Sequence, residues 1–188
     1  MTKQMWYTVF FSIYTLVILL VLIFLLSTGH TFLSVNGFAL DSSGQVYVGG
    51  ESKILVFKGA DLVRTINPHT TRTYAFTIKD DKIVLSTSLV TYIMDLQGNT
   101  IIQEEDINNK TFNHLQRNRK VFVDNERKKY VYKTGIFVRD HIVCTDNNIK
   151  IYEMPIKDYW IKILIVITAF NIVILVLSII SQIMKKRR

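Results

Sequence analysis

Hydrophobic and polar residues alternate at three different rhythms along this chain. Residues 4–40 carry no charged side chain, and positions 5–27 within them are almost continuously apolar. Near the other end, residues 163–184 are again free of charge. Between the two runs the pattern breaks into short alternating stretches. The continuous runs predict membrane-spanning helices. The first, residues 5–27, is 23 residues long, about 34 Å as a helix against a hydrocarbon core of roughly 30 Å. The second, residues 161–184, holds one charge, Lys162, near its start. Its stem can carry the ammonium out to the headgroups. Trp6 and Tyr7 flank one run, and Tyr159 and Trp160 the other, at the depth that amphipathic rings favour. The first run exceeds the signal-peptide core of about 7–15 residues. The following "LLSTGHTF" has no clear A-x-A site, so this run reads as an uncleaved anchor.

The middle predicts strands. "QVYVGG", "KILVFK", "TYAFTIK", "KIVLST", "LVTYIMD", "KVFVD", "KYVYK", "HIVCTD" and "NIKIYEM" are short and rich in Val, Ile, Tyr and Phe. "DSSG", "KDD", "LQGN", "DNER" and "DNN" separate them as turns. One polar stretch, residues 104–120, predicts a short helix or a long loop, and its apolar positions fit no stripe.

The strand pairs recur. "FALDSSGQVYVGGESKILVFKGADLVRTI" overlays "FTIKDDKIVLSTSLVTYIMDLQGNTIIQ" at an offset of about 38 residues, with Phe38 on Phe76, Val46-Tyr47-Val48 on Ile83-Val84-Leu85 and Gly59 near Gly98. A third copy is sought in "FVRDHIVCTDNNIKIYEM", with "VFVDNERKKYVYK" as an extra hairpin ahead of it. The run "LDSSGQVYVGGESKILVFKG" resembles the blades of NHL-type and related β-propellers. No WD dipeptide or YWTD motif accompanies it, and the resemblance transfers no functional residue. The expected fold is two transmembrane α-helices flanking an all-β extracytoplasmic domain, built as propeller-like blades or as a β-meander or sandwich. The parts are an N-terminal span (1–29), a β-rich domain (30–158) of about three units, and a C-terminal span with a basic tail (159–188). Three open blades would leave edges unpaired, so chains would associate or the sheet would close another way.

Charge sets the orientation. Lys185, Lys186, Arg187 and Arg188 follow the second run directly, and cations beside a span are held on the cytoplasmic side. Lys3 agrees. An even number of spans then puts both termini in the cytoplasm and the middle outside. That middle, residues 31–158, has 17 Lys+Arg and 15 Asp+Glu. Most of the formal +8 therefore sits on the inner ends, and the basic balance is a topology signal rather than a sign of nucleic-acid binding. The abundance of Ile, Asn, Lys and Tyr suggests an AT-rich bacterial genome and a Gram-positive plasma membrane.

Candidate chemistry is sparse. Cys144 is the only cysteine, so no internal disulfide can form. His30, His69, His114 and His141 are scattered without zinc-ligand spacing. Asp41-Ser42-Ser43 lacks the G-x-S-x-G setting of a hydrolase nucleophile and reads as a turn. No enzyme, no cofactor and no metal is expected. Two sets of residues stand out instead. Arg117, Arg119, Lys120, Arg127, Lys128 and Lys129 flank a strand and its turn and form a candidate patch for an anionic lipid or envelope polymer. On a helical projection Thr8, Ser12 and Thr15 share one face of the first span, and Thr168, Asn171, Ser178 and Gln182 one face of the second. These are candidate helix–helix contacts, worth about 0.6–2 kcal/mol each. They would join the two spans, a membrane-protein partner or a second copy of the chain.

The expected function is a membrane-anchored extracytoplasmic binding or assembly module, an accessory subunit of a cell-envelope complex. The alternatives are a sensor or regulator that acts on a membrane partner through its helices, and an envelope-directed hydrolase.

Overall fold

The computed structural model describes residues 3–27, 35–50, 52–68, 70 and 73–186. The chain divides into two units: a helical unit from the two ends, and a β unit spanning Phe32–Pro155.

Twelve strands build the β unit. They are β1 (Gly37–Leu40), β2 (Val46–Gly49), β3 (Ile54–Lys58), β4 (Asp61–Ile66), β5 (Tyr74–Lys79), β6 (Lys82–Thr87), β7 (Val90–Met94), β8 (Thr100–Glu105), β9 (Val121–Val123), β10 (Lys129–Lys133), β11 (His141–Cys144) and β12 (Lys150–Glu153). They form three four-stranded sheets, β1–β4, β5–β8 and β9–β12, each in sequential antiparallel order. This is propeller-like architecture with three blades. Short strands with tight turns can pair only with their immediate neighbours, which is why each sheet is a meander.

Each sheet places a Phe on its first strand, though not in one register: Phe38 stands three residues before Asp41 and Phe122 two before Asp124. Phe38 pairs across with Val48, Phe76 with Leu85 and Phe122 with Tyr130. All three are buried in one shared core. β1 packs against both β5 and β9, and the Phe38 ring lies 6.4 Å from those of Phe122 and Tyr132. Farther out, Phe57 and Tyr152 join the first and third sheets at 5.0 Å. Gly49 is required by this packing, since a Cβ there would come within 2.5 Å of the Phe76 ring. The outermost strand β8 is exposed along its whole length and ends in Glu104 and Glu105. Charges of that kind discourage edge-to-edge pairing.

The third repeat differs from the sequence expectation. "VFVDNERKKYVYK" is not an extra hairpin: it supplies β9 and β10, the first half of the third sheet. The offset from Phe76 to Phe122 is stretched because a 3-10 turn (Ile107–Asn109) and a helix, α2 (Lys110–Asn118), lie between the second and third sheets. The polar stretch is thus helical over residues 107–118, after its first two residues end β8, and it does have an apolar face: Leu115 is buried and Phe112, three residues earlier, is half-buried. Its first turn is held by Asp106. That carboxylate accepts the N–H groups of Thr111 (3.0 Å) and Phe112 (2.8 Å) and the Ser86 hydroxyl (2.9 Å). Burial works against the charge, but these donors outweigh it and hold the carboxyl below the usual carboxylate range.

The helical unit consists of α1 (Lys3–Ser27) and α3 (Ile156–Lys186), which pack against each other. Among the described residues one helix is long and apolar enough to cross a membrane, over Ile156–Ser181 (26 residues, mean hydropathy 3.1). The described apolar part of α1, Val9–Phe24, is shorter. Pro155 and Asp158 mark the start of α3, where a missing N–H and an acidic side chain are both favourable.

A candidate binding site where three turns converge

The first turn of every sheet points to the same end of the β unit. The β1–β2, β5–β6 and β9–β10 turns together line a concave mouth of about 370 Å³. Its floor is apolar, from Leu40, Ile78 and Phe122, and its rim is acidic, from Asp80, Asp81, Asp124 and Glu126. This apical end lies opposite the basal end, where β1, β5 and β9 begin.

Two of the turns are built alike. In the first, Asp41 Oδ1 accepts the N–H of Ser43 (3.0 Å), the N–H of Gln45 (2.9 Å) and the Ser43 hydroxyl (2.7 Å). Its Oδ2 accepts the Tyr47 hydroxyl at 3.2 Å. In the third sheet Asp124 accepts the N–H of Lys128 (2.9 Å) and the Tyr130 hydroxyl (3.1 Å). In both, the Tyr stands six residues after the Asp, and the residue three after the Asp is left-handed: Gly44 at φ 78° and Arg127 at φ 63°. Burial first, then the Asp41 charge, pushes the Tyr47 phenol up to about 12. Burial, then the bond to Asp124, does the same for Tyr130. Both phenols therefore remain donors at any ordinary pH. The middle turn is shorter, with Asp80 and Asp81 both at φ 52°, and it is tied to the first turn. Asp81 accepts the N–H (3.1 Å) and the hydroxyl (2.8 Å) of Ser42.

The rim carboxylates are thus largely committed to holding turns. Asp41, Ser42 and Ser43 serve as turn and clasp: each serine hydroxyl donates to a carboxylate, Ser42 to Asp81 and Ser43 to Asp41, that also accepts backbone N–H groups of the turn. Among the described residues no group of three or more His, Cys, Asp or Glu is arranged to hold a metal ion. What the mouth offers is shape: a rigid apolar floor inside a polar, anionic rim. That suits a side chain with an apolar body and a cationic or hydroxyl-bearing tip. The repeated Asp–Tyr spacing was the sequence signal that could have located it.

The structure divides the basic set. Arg117, Arg119 and Lys120 lie on α2 and just before β9, at the basal end, and all are exposed. Arg127 and Lys128 lie in the apical turn, and Lys128 is paired with Glu126 at 2.5 Å. Lys129 starts β10, opposite Val123. The hairpin therefore separates the six cations into two groups rather than presenting one patch.

In the helices, Thr15 and Thr168 are buried, but their hydroxyls bond back to their own backbones, to Phe11 O (2.9 Å) and Leu164 O (2.8 Å). Ser12, Asn171 and Ser178 are half-buried. Thr8 and Gln182 lie within α1 and α3, but their side chains are outside the described set, as are those of Lys185 and Lys186. Arg187, Arg188, His30 and His69 lie outside the described residues.

No protein-family model matches the sequence, and no curated protein matches it. Among solved structures the chain is similar to the WD40 domain of Neurospora crassa Pan2, at 14% identity and a TM-score of 0.31, over 64% of this chain. It spans 38% of that chain's length. The propeller-like description rests on the order and pairing of the strands.

Proposed function

We propose that the protein is a membrane-anchored binding or assembly module whose β unit stands outside the cell membrane and whose apical mouth receives a partner. In this reading α1 and α3 both span, both termini are cytoplasmic, and the partner is a subunit of a cell-envelope complex. The observation that carries the reading is polarity of construction. The β unit joins the preceding and following chain at its basal end, through Asn36 and Met154, while the three first turns gather at the opposite end. A tethered module has its free surface at such an end. The apolar floor and acidic rim favour a partner segment with Lys, Arg or hydroxyl groups around an apolar anchor.

A photo-crosslinking residue placed at Asn125, on the rim, is expected to give a discrete adduct in intact cells. The same residue at Leu62, on an outer strand, is expected to give none. Adducts from position 62 alone, or protease digestion of the β unit only in inverted vesicles, would refute the reading.

A further inference from the structure

The basal end carries its own pattern. The β10–β11 loop, residues 134–140, is strapped to the point where the chain leaves the last strand. Met154 N–H donates to Asp140 O at 2.7 Å, Arg139 Nε donates to Met154 O at 2.8 Å, and the Arg139 guanidinium meets Glu153 at 2.6 Å. The strap holds the C-terminal end of the loop, and just before it come three consecutive exposed apolar residues: Ile136, Phe137 and Val138 are 54%, 77% and 55% exposed. Cations and acids both lie near, but the acids are engaged: Glu153 pairs with Arg139 and Asp140 accepts the Tyr132 hydroxyl. Lys133, at the loop's start, is exposed. The exposed Arg119 and Lys120 lie beside the start of the loop, since Tyr132 N–H, at the end of β10, donates to Lys120 O at 2.9 Å. No acidic residue occurs between Asp106 and Asp124. One residue past Met154 comes Pro155, and then the helix that is long and apolar enough to span.

We propose that this basal face rests on an anionic bilayer, with residues 136–138 in the headgroup layer and Arg119, Lys120 and Lys133 against lipid phosphates. The inference builds on the membrane-anchored reading and adds a second contact to it. Burying apolar side chains is favourable in proportion to the area removed from water, and each cation near an anionic surface adds to the attraction. A loop already held at one end loses less freedom on docking than a free one. A partner protein would also cover apolar residues. The nearby cations, and the short chain distance to a spanning helix, favour lipid. Docking in this way would hold the apical mouth away from the membrane.

The test uses the full chain with Cys144→Ser, so that Phe137→Cys takes a single environment-sensitive fluorophore. A matched variant carries the fluorophore at Asn125→Cys. Both are reconstituted into vesicles of phosphatidylcholine and phosphatidylglycerol that contain spin-labelled lipid. Quenching is expected to be several-fold stronger at position 137 than at 125, and weaker when phosphatidylglycerol is replaced by phosphatidylcholine. A chain that does not float with the vesicles overturns the anchoring reading and this one with it. A chain that floats, with equal quenching at both positions, overturns this one alone. A probe at 137 shielded from iodide but not quenched by lipid would point to protein and overturn the lipid assignment. Quenching unaffected by lipid charge would overturn the role of the cations. Unchanged thermal midpoints would show that the labelled chains are folded, and Ile136→Cys provides a second labelling position.

Discussion

The first and third sheets do the same job with different residues. Each sends a Phe into the shared core, and each closes its first turn with an Asp that bonds a Tyr six residues later. In the first sheet the turn has Gly at its left-handed position and a buried Asp; in the third it has Arg127 there and a half-buried Asp. A non-Gly residue in that conformation costs about 1–2 kcal/mol. The third turn holds it with the bonds from Arg127 N–H to Asp124 O (3.1 Å) and from Lys128 N–H to the Asp124 carboxylate (2.9 Å). The difference teaches that the repeat is kept by the carboxylate latch and an apolar core, and not by residue identity: aligned on the latch, Phe122 falls on Ala39 and the core Phe shifts by one position.

Substitutions in the core should break the equivalence most. Phe38→Ala removes the ring that touches both Phe122 and Tyr132, and should lower stability by about 3–5 kcal/mol. Phe122→Ala, at the margin of the same core, should fall at or below the low end of that range. Urea unfolding of the full chain in detergent, followed by near-ultraviolet dichroism, measures both; equal losses would mean that the sheets share the core evenly. The latches should separate next. Asp41→Ala abandons four donors and should cost about 2–3 kcal/mol, while Asp124→Ala abandons two and should cost about 1 kcal/mol. Thermal midpoints at neutral pH compare them, and a larger loss at Asp124 would reverse the assignment. The smallest effect concerns α2, which pushes the third repeat out of register. Asp106 has a lowered carboxyl pKa. Its contribution is therefore fully present above the unfolded value near pH 4 and is lost as pH falls through its own lower value. Amide exchange at Thr111 and Phe112 should accelerate over that acid range. Asp106→Asn should flatten the dependence, at a cost of about 1 kcal/mol. Exchange that does not respond to acid would remove the carboxylate from its capping role.

Particular residues show how much could be read beforehand. Phe38 over Phe76, Val48 over Leu85 and Gly59 near Gly98 align in sequence, and they occupy matching strands and turns in the first two sheets. The third sheet escaped that alignment for two reasons. Nine residues of helix shift it, and Arg127 stands where the sequence pattern leads one to look for Gly. The amphipathic face of α2 was hidden because it is narrow, essentially Phe112 and Leu115 set among polar residues. The six-residue basic set looked contiguous because a hairpin folds distant ends into one line of text. Antiparallel pairing puts Lys120 beside Tyr132 at one end and Lys128 beside Asp124 at the other.

Local rules were enough for the elements themselves. Alternation, turn residues and unbroken apolar runs depend on neighbours a few positions apart, so the strands, their turns and the apolar helix α3 follow from the sequence. Which turns meet does not follow from local rules. The Ser42–Asp81 clasp and the mouth above Phe122 join residues from separate sheets. Only the packing of three sheets around Phe38, Phe76 and Phe122 decides their distances, because that core sets how each sheet is turned toward the others.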